Sequence, residues 1–168
     1  MAGKRRVRPH PPRVAVIDIG SNSGRVVVFD LDPAGHLRIL ASTRAALRLV
    51  GDVEQRRSLS PAAMERTLEA LQDFRAMALG AGADRTVAVA TAAIRDADNG
   101  HVLTSRIRRE LGLRVEVIGG REEARCGFLG ALHGLEVSQG LFFDLGGGSL
   151  QITRFRGRRP GRSWSLPL

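Results

Sequence analysis

The chain has 168 residues, 43% apolar and 26% charged, proportions that suit one folded domain, or one domain and part of a second, and argue against wholesale disorder. Its formal charge of +9 suggests a nucleic-acid partner until it is mapped: residues 1–13 and 154–168 each hold five basic side chains and no acid, and the body between carries 16 basic against 17 acidic residues. No apolar run approaches a membrane span, the basic start lacks the apolar stretch of a secretory signal, and the single cysteine, Cys126, excludes an internal disulfide framework. A cytoplasmic protein is expected, with no membrane association and no specific nucleic-acid partner. The arginine-rich ends read as solvated tails whose contact with polyanions would be weak and salt-dependent.

Residues 1–13 form a Pro-rich basic leader, expected to be disordered. Val14–Ile19 reads as a buried strand, Gly20–Gly24 as a turn and Arg25–Asp30 as a second strand. Asp32–Gly35 turns the chain again, and a third strand starts at Leu37, giving an antiparallel meander. Ser60 can cap a helix whose first residue is Pro61. Met64, Leu68, Leu71 and Ala78 give that helix one apolar face, and Gly80 and Gly82 end it. A short strand, Thr86–Ala90, precedes a helix near 101–111 with Val102, Leu103, Ile107 and Leu111 inward. Arg114–Ile118 is a fifth strand, followed by a helix from about Arg121 to Leu132. The order βββαβαβα predicts an α/β lobe, a mixed five-stranded sheet covered by helices, over residues 14–135.

The pattern then restarts. Leu141–Ser149 (LFFDLGGGS) echoes Val16–Ser23 (VIDIGSNS), with Asp144 and Asp18 separated by 126 residues. Internal similarity at domain size implies two related halves facing one another. The second half, residues 140–168, receives only three strands: Leu141–Asp144, Leu150–Phe155 and Trp164–Leu166. It is expected to be the truncated start of a second lobe, without helices. Its apolar side chains, Leu141, Phe142, Phe143, Leu145, Leu150, Ile152 and Phe155, would then lie uncovered, so self-association through the terminal strands is expected.

A strand ending in Asp-x-Gly and small polar residues leaves backbone amides free at a tight turn, a concavity suited to phosphate. The neighbouring Asp can hold magnesium or its waters. One such hairpin is more often an ordinary glycine turn; two matched copies favour a pair of phosphate loops. Glu122 and Glu123, in the first turn of a helix, suit simple complementarity to the helix dipole first, and a base kept ionised there second. Arg95 suits either a surface ion pair with Asp96 or Asp98 or a phosphate ligand. Cys126 reads as a small helix-face residue rather than a nucleophile. His10, His36, His101 and His133 show no ligand spacing. Trp164 reads as packing rather than a stacking platform.

Four blocks, IDIGSNS at Ile17–Ser23, ATAAIRDADN at Ala90–Asn99, VIGGREEAR at Val117–Arg125 and FDLGGGS at Phe143–Ser149, resemble the exopolyphosphatase / guanosine pentaphosphate phosphohydrolase (Ppx/GppA) family in order and spacing. The two Asp-Gly blocks are shared with the whole actin-like (ribonuclease H-like) ATPase superfamily; the other two narrow the resemblance to these phosphatases. It implies hydrolysis of terminal phosphoanhydride bonds of inorganic polyphosphate or guanosine pentaphosphate, with Mg2+ as cofactor, in a cleft between two actin-like lobes. By the same resemblance Gly20, Ser21, Asn22, Ser23, Gly146, Gly147, Gly148, Ser149 and Arg95 bind phosphate, and Asp18 and Asp144 sit beside metal. Glu123, or Glu122 if the loop differs by one residue, activates the water.

The chain departs from the family in three places. Gln151 stands where a glutamate is usual, a poorer magnesium ligand that cannot act as a base. Gly24 replaces an aromatic residue and is expected to loosen the first loop. The sequence stops where relatives enter the rest of the second lobe, so weak or absent activity is expected. The competing functions are a non-catalytic polyphosphate- or nucleotide-binding module and, less favoured, an actin-like ATPase or sugar kinase.

Overall fold

The computed structural model describes residues 11–32, 34–132 and 136–168. Most of the leader, Pro33 of the second turn, His10, His133 and the expected lobe boundary at 135 therefore lie outside the described residues. Five strands, β1 (Arg13–Ile19), β2 (Ser23–Leu31), β3 (Leu37–Ala46), β4 (Arg85–Ala90) and β5 (Val115–Val117), form one sheet in the order β3-β2-β1-β4-β5. The first three pair antiparallel, and β1-β4 and β4-β5 pair parallel. This is the expected actin-like arrangement. Arg13, grouped with the leader by sequence, is instead the first residue of β1. Its guanidinium bonds the buried Asp30 at 3.1 Å, and Arg38 pairs with the same carboxylate.

Alternation along β1 sends Ala15, Ile17 and Ile19 into the core, and β2 contributes Val26 and Val28 to it. The helix α2 (Pro61–Gly80), capped by Ser60 Oγ accepting from Ala63 N, lays Met64, Leu68, Leu71, Phe74 and Ala78 into the same core. The helix α4 (Gly100–Leu111) contributes Leu103 and Ile107. Val102, expected inward, is exposed; one residue turns the helix by about 100°, so 102 cannot share the 103–107–111 stripe. Two short helices, α1 (Val50–Arg56) and α3 (Ala92–Asp96), were not expected.

The larger correction concerns α5 (Gly120–Leu132). Sequence order attached it to the first sheet; it packs instead on a second, three-stranded sheet of β6 (Gln139–Leu145), β7 (Ser149–Arg156) and β8 (Arg159–Pro167), ordered β6-β7-β8. The only buried residues of α5 are Ala124 and Phe128, one helical turn apart. The Phe128 ring meets Phe155 at 5.0 Å and Phe142, edge-on, at 5.9 Å. The second sheet therefore does have a helix over one face. Its other face carries Leu141, Phe143, Leu145, Trp164 and Leu166, all exposed. Among the described residues no helix is long and apolar enough to cross a membrane.

Candidate active site

The β1–β2 and β6–β7 connections are built alike. In each, the glycine N–H donates to the serine carbonyl three residues on: Gly20 to Ser23 at 3.1 Å and Gly146 to Ser149 at 2.9 Å. The two loops press together at their tips. A Cβ on Gly147 would stand 3.0 Å from Asn22 Cβ, and one on Gly148 would stand 2.8 Å from Ser21 Oγ, so side chains there would force the loops apart. From behind, Ser21 O accepts from the amides of Leu49 and Val50, and Asn22 O from those of Leu47 and Arg48. The N–H groups of Ser21, Asn22, Gly147 and Gly148 have no partner among the described residues. Converging free amides of this kind form an anion nest.

Gly24 does not loosen the first loop. It is buried, and a Cβ there would lie 3.0 Å from Leu47 and 3.1 Å from Phe74, which fill the space expected to be empty.

Between the two loops lies a cavity of about 340 Å3. It brings together Asp18, Gly20, Ser21, Ser23, Glu123, Asp144, Gly146, Gly147, Gly148, Ser149 and Gln151. Thr91, Cys126 and Gly127 also line it and were not expected there. Asn22, also expected to bind phosphate, does not line the cavity and lies against Gly147 instead. Glu122 does not belong to this cavity: it points to the opposite flank of α5 and pairs with Arg125 at 3.0 Å. Arg95 stands behind Glu123 rather than on the cavity wall. Its Nη1 donates to Glu123 Oε2 and to Ile118 O, both at 3.2 Å, and its Nε donates to Asp96 at 3.1 Å. Asp98 lies 3.9 Å from Arg57 instead.

Crowding and charge tune these acids. Glu123 is pushed up from its ordinary value by burial; Arg95 pulls it back, and Asp18 and Asp144 push it further up. The helix terminus was expected to favour the ionised form of Glu123; burial and two nearby carboxylates act in the opposite direction. Asp18 retains an accessible edge, yet the atoms around it exclude enough water to raise it; Arg25 opposes this and Asp144 adds to it. Asp144 itself leans on α5, where a Cβ on Gly127 would stand 2.5 Å from its Oδ2. Gln151, directly opposite Asp144 across β6–β7, is buried and donates to Ser149 Oγ at 2.6 Å. Cys126 is exposed, with its thiol raised by burial and by Glu122, which disfavours a thiolate.

No set of three or more His, Cys, Asp or Glu arranged to hold a metal occurs among the described residues. Asp18 and Asp144 nevertheless suit magnesium, which is commonly held by one or two carboxylates together with substrate phosphates and waters. Their mutual repulsion is what a divalent cation would relieve.

Thr91 could have been singled out from its block, since a threonine at the end of a buried strand faces the same cleft edge as Asp18. Gly127 carries no such signal, because its role depends on which sheet receives α5.

Scaffold and loops together define an actin-like protein whose cleft is organised around two matched glycine-containing loops. Residues 11–168 match the Ppx/GppA phosphatase family, and the chain belongs to it. It is 32% identical over 158 residues to exopolyphosphatase 1 of Mycobacterium tuberculosis, covering 93% of this chain and 46% of that protein. With the guanosine-5'-triphosphate,3'-diphosphate pyrophosphatase of Photobacterium profundum it shares 34% over 145 residues, 86% of this chain and 29% of the other. The crystal structure of the Aquifex aeolicus family member superposes with a TM-score of 0.82 at 32% identity, over 93% of this chain and 51% of that one. The chain thus spans about half the length, or less, of the relatives named here.

Proposed function

We propose that this chain hydrolyses the terminal phosphoanhydride bond of inorganic polyphosphate or guanosine pentaphosphate, in a cytoplasmic setting. The supporting observation is that one cavity holds two matched loops with free amides and one half-buried glutamate. The loop amides of Ser21, Gly147 and Gly148 hold the phosphate oxygens, and the hydroxyls of Ser23 and Ser149 complete the cradle. Glu123 orients a water in line with the terminal phosphorus and takes one of its protons as the new P–O bond forms. The bridging P–O bond breaks, releasing orthophosphate and a chain one phosphate shorter. A carboxylate raised from its ordinary value, as burial raises Glu123, is a stronger base than an unshifted one. Arg95 holds the Glu123 carboxylate in place from behind the cavity. Asp18 and Asp144 would hold Mg2+, which neutralises phosphate charge when bound. Gln151 braces Ser149, so its contribution is to the shape of the second loop.

In this reading the cleft is shared by two bodies, the five-stranded sheet with α1–α4 and the three-stranded sheet with α5. Phosphate release from polyphosphate and from guanosine pentaphosphate, with magnesium, tests the assignment. Glu123→Gln should abolish turnover, by ~10²-fold or more, while Glu122→Gln leaves it intact. Binding of either substrate without release in the wild-type chain would assign the non-catalytic module instead.

A further inference from the structure

Thr91 lines the cleft without belonging to either loop. Alternation along β4 turns Ala88 and Ala90 into the core, which leaves Val89 and Thr91 on the face of Asp18, the register partner of Val89. Two neighbours fix its place. The Thr91 N–H donates to Ile19 O at 3.2 Å, beside the first loop, and Ile118 N donates to Ala90 O at 3.0 Å, beside the entry to α5. Thr91 therefore stands between the first loop and the helix that carries Glu123. Its carbonyl accepts from Arg95 N at 3.0 Å, and Arg95 Nη1 reaches Glu123 Oε2 at 3.2 Å, so a short path of bonds ties the two residues together. Thr91 is only 9% exposed, yet its hydroxyl makes no hydrogen bond among the described residues. It precedes α3 and does not cap it, although a threonine in that position commonly does. A buried hydroxyl left without a partner in the protein is uncommon and calls for a ligand or a water.

We infer that the Thr91 hydroxyl is the second group that holds the attacking water, acting with Glu123. The inference rests on the phosphoanhydride reading of the cleft. A water that must attack in line needs its orientation fixed at more than one point, and a single carboxylate leaves it free to pivot. Glu123 takes one proton of that water. Thr91 Oγ1 accepts a hydrogen bond from the other hydrogen, which leaves a lone pair directed at the terminal phosphorus. As the new P–O bond forms, that second hydrogen stays on the oxygen and leaves with the orthophosphate. The bridging P–O bond breaks towards the shortened chain, and the threonine neither gains nor loses a proton. The hydroxyls of Ser23 and Ser149 are less suited to this task because they belong to the loops that cradle the phosphate. Threonine suits it better than serine, because a β-branched side chain has few χ1 rotamers and holds its hydroxyl in place without a bond to steady it.

Thr91→Val and Thr91→Ser separate this role from a structural one. Valine keeps the shape and removes the hydroxyl; serine keeps the hydroxyl and frees its rotation. In the full chain, with polyphosphate and magnesium, Thr91→Val should lower kcat by ~10- to 10²-fold and leave KM in place, since only the transition state loses a contact. Thr91→Ser should restore most of that loss. Thermal melts should show no loss of stability in Thr91→Val, because the hydroxyl makes no bond inside the protein that the substitution could break. A wild-type chain that releases phosphate, with Thr91→Val releasing it at the same rate, would overturn the inference and leave the hydrolytic reading standing. A fall in kcat matched by an equal fall in Thr91→Ser and by a lower Tm would also overturn it, and would make Thr91 a packing residue. A rise in KM at constant kcat would overturn it by placing the hydroxyl on the bound phosphate instead. A wild-type chain that releases no phosphate from polyphosphate or guanosine pentaphosphate would overturn the hydrolytic reading and the role of Thr91 with it.

Discussion

Substituting Gly127 by alanine should separate stability from function. Glycine inside a helix is less favourable than alanine by up to about 1 kcal/mol, so removing it should strengthen α5. For a chain of this size that corresponds to a rise in Tm of about 2–4 °C. The new Cβ, however, would stand 2.5 Å from Asp144 Oδ2, where ordinary contact begins near 3.4 Å. The carboxylate must withdraw by about 1 Å, and a misplacement of that size can lower turnover by ~10²-fold. The expected outcome is a chain that melts later, hydrolyses polyphosphate far more slowly, and needs more magnesium. Gly130→Ala is the control, because it lies in the same helix with nothing within 4 Å of its added Cβ; it should raise Tm and leave turnover alone. Differential scanning calorimetry and phosphate-release kinetics on the two variants decide the matter. If Gly127→Ala gains stability and keeps full turnover and magnesium dependence, the position of Asp144 is not what the glycine serves.

Three further outcomes can be measured. Gln151→Glu places a third carboxylate opposite Asp144 in a buried position, so the metal-free variant should melt earlier and bind magnesium about tenfold more tightly, about 1.4 kcal/mol; calorimetric titration giving unchanged affinity would remove this position from the metal's surroundings. Asp18 and Glu123 are raised in the folded chain above 3.8 and 4.5; stability from such groups is complete below those values and is lost as pH rises through the folded ones. Metal-free Asp18→Asn should therefore be more stable than wild type at pH ~7, with the difference vanishing in acid, and denaturant melts showing a less stable variant at neutral pH would contradict the assignment. The uncovered face of the second sheet should drive self-association at micromolar concentration, and Phe143→Glu with Leu145→Lys should yield a monomer by sedimentation; a wild-type chain that sediments as a monomer would refute it.

Most of the first sheet was legible because its strands alternate cleanly and its turns carry glycine, proline or a capping serine. The paired loops were legible because the Asp-x-Gly pattern occurs twice. The destination of α5 was not, since Ala124 and Phe128 show a buried stripe without saying which sheet it meets. The choice between Glu122 and Glu123 depended on that destination, for adjacent helix residues face about 100° apart. The close fit of Leu47 and Phe74 against Gly24 was equally hidden, because both come from distant segments whose approach is set by the meander and α2.

The route of α5 gives the cleft a built-in tie. Glu123 travels with β6, β7 and the second loop, whereas Arg95 and the first loop belong to the five-stranded sheet. Their 3.2 Å contact is a rivet joining the two bodies at the point where chemistry would occur. Any widening of the angle between the sheets would have to stretch that contact, so breaking it by Arg95→Gln would loosen one body against the other at the place where the water is held.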